Sequence, residues 1–317
     1  MRNLNKNKLI KMYANQPFCK KLSLFWGIIP VYFVIFEVTF TVNYYIIFNS
    51  NYTNIFIKLI SIIFFEPLAL LTLITHLLSM FKNPGYVPIP YQPQTNYYEI
   101  NSNSVISSNI KTNSDLLQDR SDLFCKKCNN PRPLRSHHCK ICGKCTLKMD
   151  HHCHWIANCV GYYNQKNFYQ FLFYATFGDL IGFFLLLIRF FSCNLNIKDN
   201  IPNNVKIESP FILIYYLWEP INIMIGILCS FAMTVSIGTL FHKQTWMLLL
   251  NQTTIDKKLF EDWNNSPYYE ENKSKNFKSV MGETFCDWIS LKFKGNEPYN
   301  YSKKKKYYDL DNIESEP

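Results

Sequence analysis

The stretch CKKCNNPRPLRSHHCKICGKCTLKMDHHCHWIANC, residues 125–159, decides how the rest of the chain is read. It gathers seven of the protein's eleven cysteines and five of its seven histidines. Cys125-x2-Cys128, Cys139-x2-Cys142 and Cys142-x2-Cys145 have the tight spacing that lets two sulfurs meet one metal ion. A loop-rich segment this short cannot assemble a core of its own, so bound metal would supply its folding energy. Tetrahedral Zn2+ takes four Cys or His ligands, and two closed sites use eight of the twelve donors present. Four are left over, and spacing alone does not decide which. The blander reading, a set of reduced buried thiols, does not account for such density. Thiols at metal spacing also point to a reducing, cytosolic setting.

Within the stretch, Cys153 follows Asp150, His151 and His152. A carboxylate that orients an imidazole, with the imidazole taking a thiol proton, is the general arrangement of orienter, base and nucleophile. If a metal fixes His152, the backbone at His151 and Cys153 is fixed with it, so the ion serves preorganisation and not Lewis-acid chemistry. The alternative is that Asp150, His151 and Cys153 are further ligands and capping groups.

Outward from the Cys-rich segment, the 317-residue chain is 48% hydrophobic and 17% aromatic. Its mean hydropathy of -0.09 averages over apolar blocks and Asn- and Lys-rich polar ones. Four blocks, 22–48, 55–81, 168–191 and 220–241, reach the ~20 apolar residues that cross a bilayer. Glu37, Glu66 and Asp179 are expensive at that depth and should face the bundle interior or be paired, whereas Lys58 and Arg189 lie near span ends and can snorkel. Gly178 and Gly182, four apart on the third block, let a neighbouring helix or an acyl chain approach closely.

Six Lys and Arg and no acid precede residue 22, so the first block reads as an anchor and not a cleaved signal. Residues 82–166 carry eleven basic residues against five acids, the 49–54 loop none, and the 192–210 loop two against two. Positive charge is retained on the cytosolic side, so both termini and the middle segment are expected there. That bias and contact with lipid headgroups explain the net charge of +10, and no nucleic-acid partner is needed. Residues 91–113 read as a polar linker, and Ile255, Leu259 and Trp263 at i, i+4, i+8 as a helix lying on the membrane face.

These residues resemble the DHHC-type protein S-acyltransferases, or palmitoyltransferases. The match runs through Cys125, Cys128, Arg132-Pro133, Arg135-Ser136-His137-His138-Cys139, Cys142, Cys145, Asp150-His151-His152-Cys153, Trp155, Asn158-Cys159, Gly161, Asn164 and Phe168. Weaker marks are Asn83-Pro84-Gly85, where the family usually has Asp-Pro-Gly, and Thr253-Thr254-Ile255-Asp256, where it usually has Glu in last place. Asn276-x3-Val280-x-Gly282 is a third, and His154 stands where the family most often has Pro.

The resemblance implies one zinc held by Cys125, Cys128, His138 and Cys145, and a second held by Cys139, Cys142, His152 and Cys159. Asp150 would orient His151, His151 would deprotonate Cys153, and Cys153 would attack the thioester of a long-chain acyl-CoA. A second transfer would pass the acyl group, palmitoyl above all, to a cysteine of a cytosol-facing or membrane-associated protein. The expected fold is an α-helical multi-pass membrane protein of four transmembrane helices, with a cytosolic zinc-binding domain between the second and third. The expected parts are a cytosolic tail (1–21), helices 1 and 2 (22–81), a linker (82–124), the Cys-rich domain (125–166), helices 3 and 4 (167–241) and a cytosolic tail with an interfacial helix (242–317). The family resides mostly in Golgi, ER and plasma membranes. A zinc-stapled adaptor with an unused Cys153 is the competing reading; an ion transporter is weaker, because the Cys and His cluster lies outside the spans.

Overall fold

The computed structural model describes residues 18–48, 54–89, 124–192, 210–266 and 268–292. The linker read at 91–113 and the lysines at 303–306 lie outside them. The chain divides into two compact units, one of residues 24–79 and 167–245, the other of residues 1–23, 80–166 and 246–317.

Helices dominate the first unit. Helix α1 (Phe18–Val42) runs on into a wider π-helical turn, Asn43–Phe48. Helix α2 (Ile55–Phe81) contains a second π turn at Ser61–Phe65. Helices α3 (Gln165–Ser192) and α4 (Pro210–Leu249) complete the set, and all four are long and apolar enough to cross a membrane. The apolar run of the fourth ends at 241, but the helix does not. No Gly or Pro follows, and the chain stays helical to Leu249, shortly before Asn251 takes a left-handed backbone (φ 52°).

Apolar side chains of this unit divide between a core and an outer surface. Val38, Val42, Ile46, Phe65, Leu185 and Leu186 form a buried core, while Phe36, Ile63, Phe184, Phe191 and Leu228 stand exposed around it. The hydroxyls of Thr41, Thr72, Thr75, Ser79 and Ser230 each donate to the carbonyl four residues back, so none is left unpaired in an apolar setting. Arg189 does not snorkel. It is buried and ion-paired with Glu219, which lies one residue before the fourth apolar block. The two glycines of α3 divide between the readings above. A Cβ on Gly182 would sit 3.0 Å from Phe65 and 3.1 Å from Val38, which is close helix packing. A Cβ on Gly178 would meet nothing nearer than Leu68 at 3.6 Å, and Gly178 lines a cavity inside the bundle.

The second unit is built on three two-stranded antiparallel hairpins: β1 (Phe124–Cys125) with β2 (Asn130–Pro131), β3 (His137–Cys139) with β4 (Lys144–Thr146), and β5 (His151–Cys153) with β6 (Asn158–Val160). In sequence they fall between α2 and α3. After α4 the described residues form three short α-helices, α5 (Thr254–Leu259), α6 (Lys273–Met281) and α7 (Phe285–Ile289), with a 3-10 turn at Trp263–Asn265 between the first two. The helix expected to lie on the membrane through Ile255, Leu259 and Trp263 stops at Leu259. Ile255 packs against the Cys139 cluster, and Trp263 is buried with its Nε1 donating to the Leu250 carbonyl at 2.8 Å. Packing onto the hairpins and onto the end of α4 thus accounts for Ile255 and Trp263, whereas Leu259 is exposed.

Candidate active site and metal centres

Strand register assembles the two metal clusters. Pairing of β3 with β4 sets His138 opposite Cys145, and pairing of β5 with β6 sets His152 opposite Cys159. Each cross-strand pair is completed by the C-x2-C knuckle of the preceding hairpin: Cys125 and Cys128 for the first, Cys139 and Cys142 for the second. The knuckles are preformed by their own backbone, since the Cys128 N–H donates to Cys125 Sγ at 3.4 Å and the Cys142 N–H to Cys139 Sγ at 3.3 Å. Side chains alternate along a strand, so adjacent His138 and Cys139 of β3 face opposite sides and serve different clusters.

The donor atoms of each cluster lie within 4.8 Å of one another. Zn–S bonds of about 2.3 Å and Zn–N bonds of about 2.0–2.1 Å in a tetrahedron imply S···S edges near ~3.8 Å and S···N edges near ~3.6 Å. Cys128 and Cys145 sulfurs are 3.8 Å apart, and His138 Nδ1 is 3.7 and 3.2 Å from those of Cys125 and Cys128. His152 Nδ1 is 3.5, 3.4 and 3.7 Å from the sulfurs of Cys139, Cys142 and Cys159. Both donor sets thus fit a tetrahedral ion that prefers sulfur and nitrogen, and neither includes Cys153.

The same alternation sorts the run at 150–153. His152 points toward the second cluster, so His151 and Cys153 share the other face of β5. His151 Nδ1 is 2.7 Å from Asp150 Oδ2, and its ring also hydrogen-bonds Cys153. Burial pulls the His151 pKa down, but the contacts with Asp150 and Cys153 outweigh it and push the value up to about 10. Cys153 is only 4% exposed, at the entrance to the turn that links β5 to β6.

One partner of the site was not visible in the sequence. Asp150 Oδ1 accepts a hydrogen bond from the backbone N–H of Thr254, the first residue of α5. Arg135, two residues before the β3 hairpin, is buried, ion-paired with Asp256 of the same helix and stacked over Tyr268 at 4.7 Å. Thr253 and Asp256 close a capping box on α5, with 3.1 Å from the Asp256 N–H to Thr253 Oγ1 and 2.9 Å from the Thr253 N–H to Asp256 Oδ2. The motif signal at 253–256 was present, but nothing in it says which distant residues it holds.

A profile of the DHHC palmitoyltransferase family matches residues 118–260. Probable protein S-acyltransferase 15 of Arabidopsis thaliana is 30% identical over 243 residues, covering 73% of this chain and 83% of that protein. Probable protein S-acyltransferase 14 of the same plant is 31% identical over 265 residues, covering 78% and 79%. Palmitoyltransferase ZDHHC3-A of Danio rerio is 29% identical over 267 residues, covering 83% and 74%. The chain belongs to the DHHC palmitoyltransferase family.

Its departures from the DHHC pattern keep the hydrogen bonds their positions need. Asn83 accepts the N–H groups of Gly85 and Tyr86 on Oδ1, both at 2.9 Å, which takes an acceptor oxygen and no charge. Asp256 reaches both its cap and Arg135 despite being one methylene shorter than Glu. His154 opens the turn after Cys153 with its carbonyl, which accepts the Ala157 N–H at 3.2 Å. The N–H that Pro would lack is not the group used there. The His154 ring is exposed and packs edge-on against His152, centroids 5.4 Å apart.

Proposed function

We propose that this DHHC palmitoyltransferase works through an acyl-enzyme at Cys153, with His151 as the base and Asp150 as its orienter. The observation that carries the reading is the shared face of β5, where the His151 ring bridges the Asp150 carboxylate and the Cys153 thiol. In the first step the Cys153 sulfur attacks the carbonyl carbon of a long-chain acyl-CoA thioester, and its proton rests on His151. The carbon–sulfur bond to CoA breaks, and the departing CoA sulfur takes that proton. In the second step a cysteine thiol of a substrate protein gives its proton to His151 and attacks the thioester on Cys153. The acyl group leaves on the new sulfur, and Cys153 recovers the proton. Asp150, held from its other oxygen by Thr254, keeps the imidazole aimed at the thiol throughout.

Two Zn2+ ions would be held by Cys125, Cys128, His138 and Cys145, and by Cys139, Cys142, His152 and Cys159. All four positions of each are filled by protein, so their contribution is to fix the strands that carry His151 and Cys153. The Cys-rich domain, set between the second and third spans, and both termini face the cytosol, where CoA and protein substrates are found. The donor's chain is taken by the apolar cavity inside the helical bundle. Burying sixteen carbons at about 0.8 kcal/mol per methylene gains on the order of 10 kcal/mol before ordering costs.

The test is transfer of label from palmitoyl-CoA to the purified, zinc-loaded protein. A hydroxylamine-sensitive thioester, absent in Cys153→Ser, is expected. Folded native protein that forms no thioester would overturn the reading and leave the adaptor role.

A further inference from the structure

His152 offers Nδ1 to the second metal cluster, which places its ring proton on Nε2. A histidine that ligates through one nitrogen calls for an acceptor at the other, because that bond fixes the tautomer and the ring plane and raises the basicity of the ligating atom. His152 Nε2 is buried and has no hydrogen-bond partner among the described residues. A donor left in that state is costly, and the cost falls on the strand that also carries His151 and Cys153.

Two residues on, the His154 ring lies against that of His152, with centroids 5.4 Å apart and planes at 80°. Imidazoles joined by an N–H···N bond of about 2.9 Å have centroids about 5.2 Å apart, since each ring adds a radius of about 1.1–1.2 Å. The rings therefore already stand at the separation of a bonded pair, and only their orientation differs. His154 is exposed, so its side chain can turn between rotamers without displacing the core, and a neutral imidazole keeps one nitrogen as an acceptor. Its main chain serves the turn through the carbonyl alone, which accepts the Ala157 N–H.

We infer that His154 is the hydrogen-bond partner of His152, its ring nitrogen accepting the Nε2–H and so tightening the hold of the second cluster on its metal. This rests on the reading of that cluster as a zinc site. His154 is then a positioning residue, which acts on the strand of Cys153 through His152. The departure from the family pattern at 154 becomes a gain, because the usual Pro has no side-chain acceptor.

The experiment uses the full chain in detergent, loaded with zinc that is then drawn off by a chromogenic chelator. His154→Phe, which keeps a ring and loses the acceptor, should weaken zinc binding by about 10–100-fold. His154→Gln, whose side-chain carbonyl can accept, should recover most of that loss. Loading with cobalt(II) supplies a readout that packing alone does not move, since proton NMR then resolves the exchangeable imidazole N–H of each ligating histidine, His138 and His152. The His152 signal should persist in the native protein and be lost to solvent exchange in His154→Phe, with that of His138 unchanged. Native zinc affinity and a persistent His152 signal in His154→Phe overturn the inference and leave the zinc reading standing. Equal loss of affinity in the Phe and Gln variants overturns the hydrogen bond. So does rapid exchange of the His152 proton in the native protein, a measurement that needs no variant to fold. A folded chain that takes up neither zinc nor cobalt overturns the metal reading itself.

Discussion

His152 and Cys153 are bonded neighbours whose side chains leave β5 in opposite directions, and in the proposed mechanism this separates a metal ligand from a nucleophile with no intervening residue. His151 gains its role from being one residue out of phase with His152. Replacing His151 by Ala removes the proton acceptor but no metal ligand, so acyl-enzyme formation should fall by about 10²–10⁴ while zinc content is unchanged. Quench-flow with labelled palmitoyl-CoA and metal analysis of the same sample would check both halves. The His151 pKa also makes a statement about stability. It is raised from 6.5 to about 10, so the contact with Asp150 and Cys153 stabilises the fold in full below about 6.5 and loses that contribution as pH rises through about 10. The gap in thermal midpoint between the native protein and His151→Ala should narrow over that interval. The candidate nucleophile was legible in the sequence because its signal is local, a run of four residues. The Thr254 N–H on Asp150 was not, since a backbone group has no letter of its own.

At the scale of elements, β3 is the shared part. It supplies His138 to one cluster and Cys139 to the other, so neither of the two proposed zinc ions could leave without loosening a ligand of its neighbour. Titrating the protein with a chelator should release both zinc equivalents in one transition, with acyl-enzyme formation lost in parallel; activity that survives full release would contradict the closed shells. Gly161, just after β6, marks a second close approach. A Cβ there would lie 2.5 Å from Thr146 Cγ2 and 2.6 Å from the Pro84 carbonyl oxygen. Backbone cannot retreat as a flexible side chain does, so Gly161→Ala should cost about 2–3 kcal/mol and lower the thermal midpoint, with activity failing at a lower temperature. Ligand spacing foretold the knuckles, but not the hairpins that order them. Strands of two or three residues carry no periodicity, and register here follows from which donors must meet.

Over the whole molecule, the four apolar blocks were readable because crossing a bilayer requires a run of fixed length. What the runs hide is how their charges are resolved. Arg189 looked able to reach the headgroups, yet it is buried against Glu219, an acid just outside the apolar block. Glu219→Ala removes the carboxylate paired with the guanidinium and should cost about 3 kcal/mol in detergent-solubilised protein. The double variant Arg189→Met with Glu219→Leu should recover most of that loss, and its failure to do so would show that the pair is not the cause. The two π turns were equally hidden, since nothing in Asn43–Phe48 or Ser61–Phe65 departs from an ordinary helical composition.

The hydrogen bond from Thr254 to Asp150 spans 104 positions in the chain and closes from the C-terminal side. During synthesis the knuckles, the strands and Cys153 emerge from the ribosome well before it, while α4 is still to be made. Until residues 254–256 have been translated, Asp150 and Arg135 lack their contacts with Thr254 and Asp256. A nascent chain, or one cut short by a premature stop codon before that point, would carry the full DHHC run and a reactive-looking thiol without the support that aims its base. On the proposed mechanism, competence to acylate would thus be conferred late in biosynthesis.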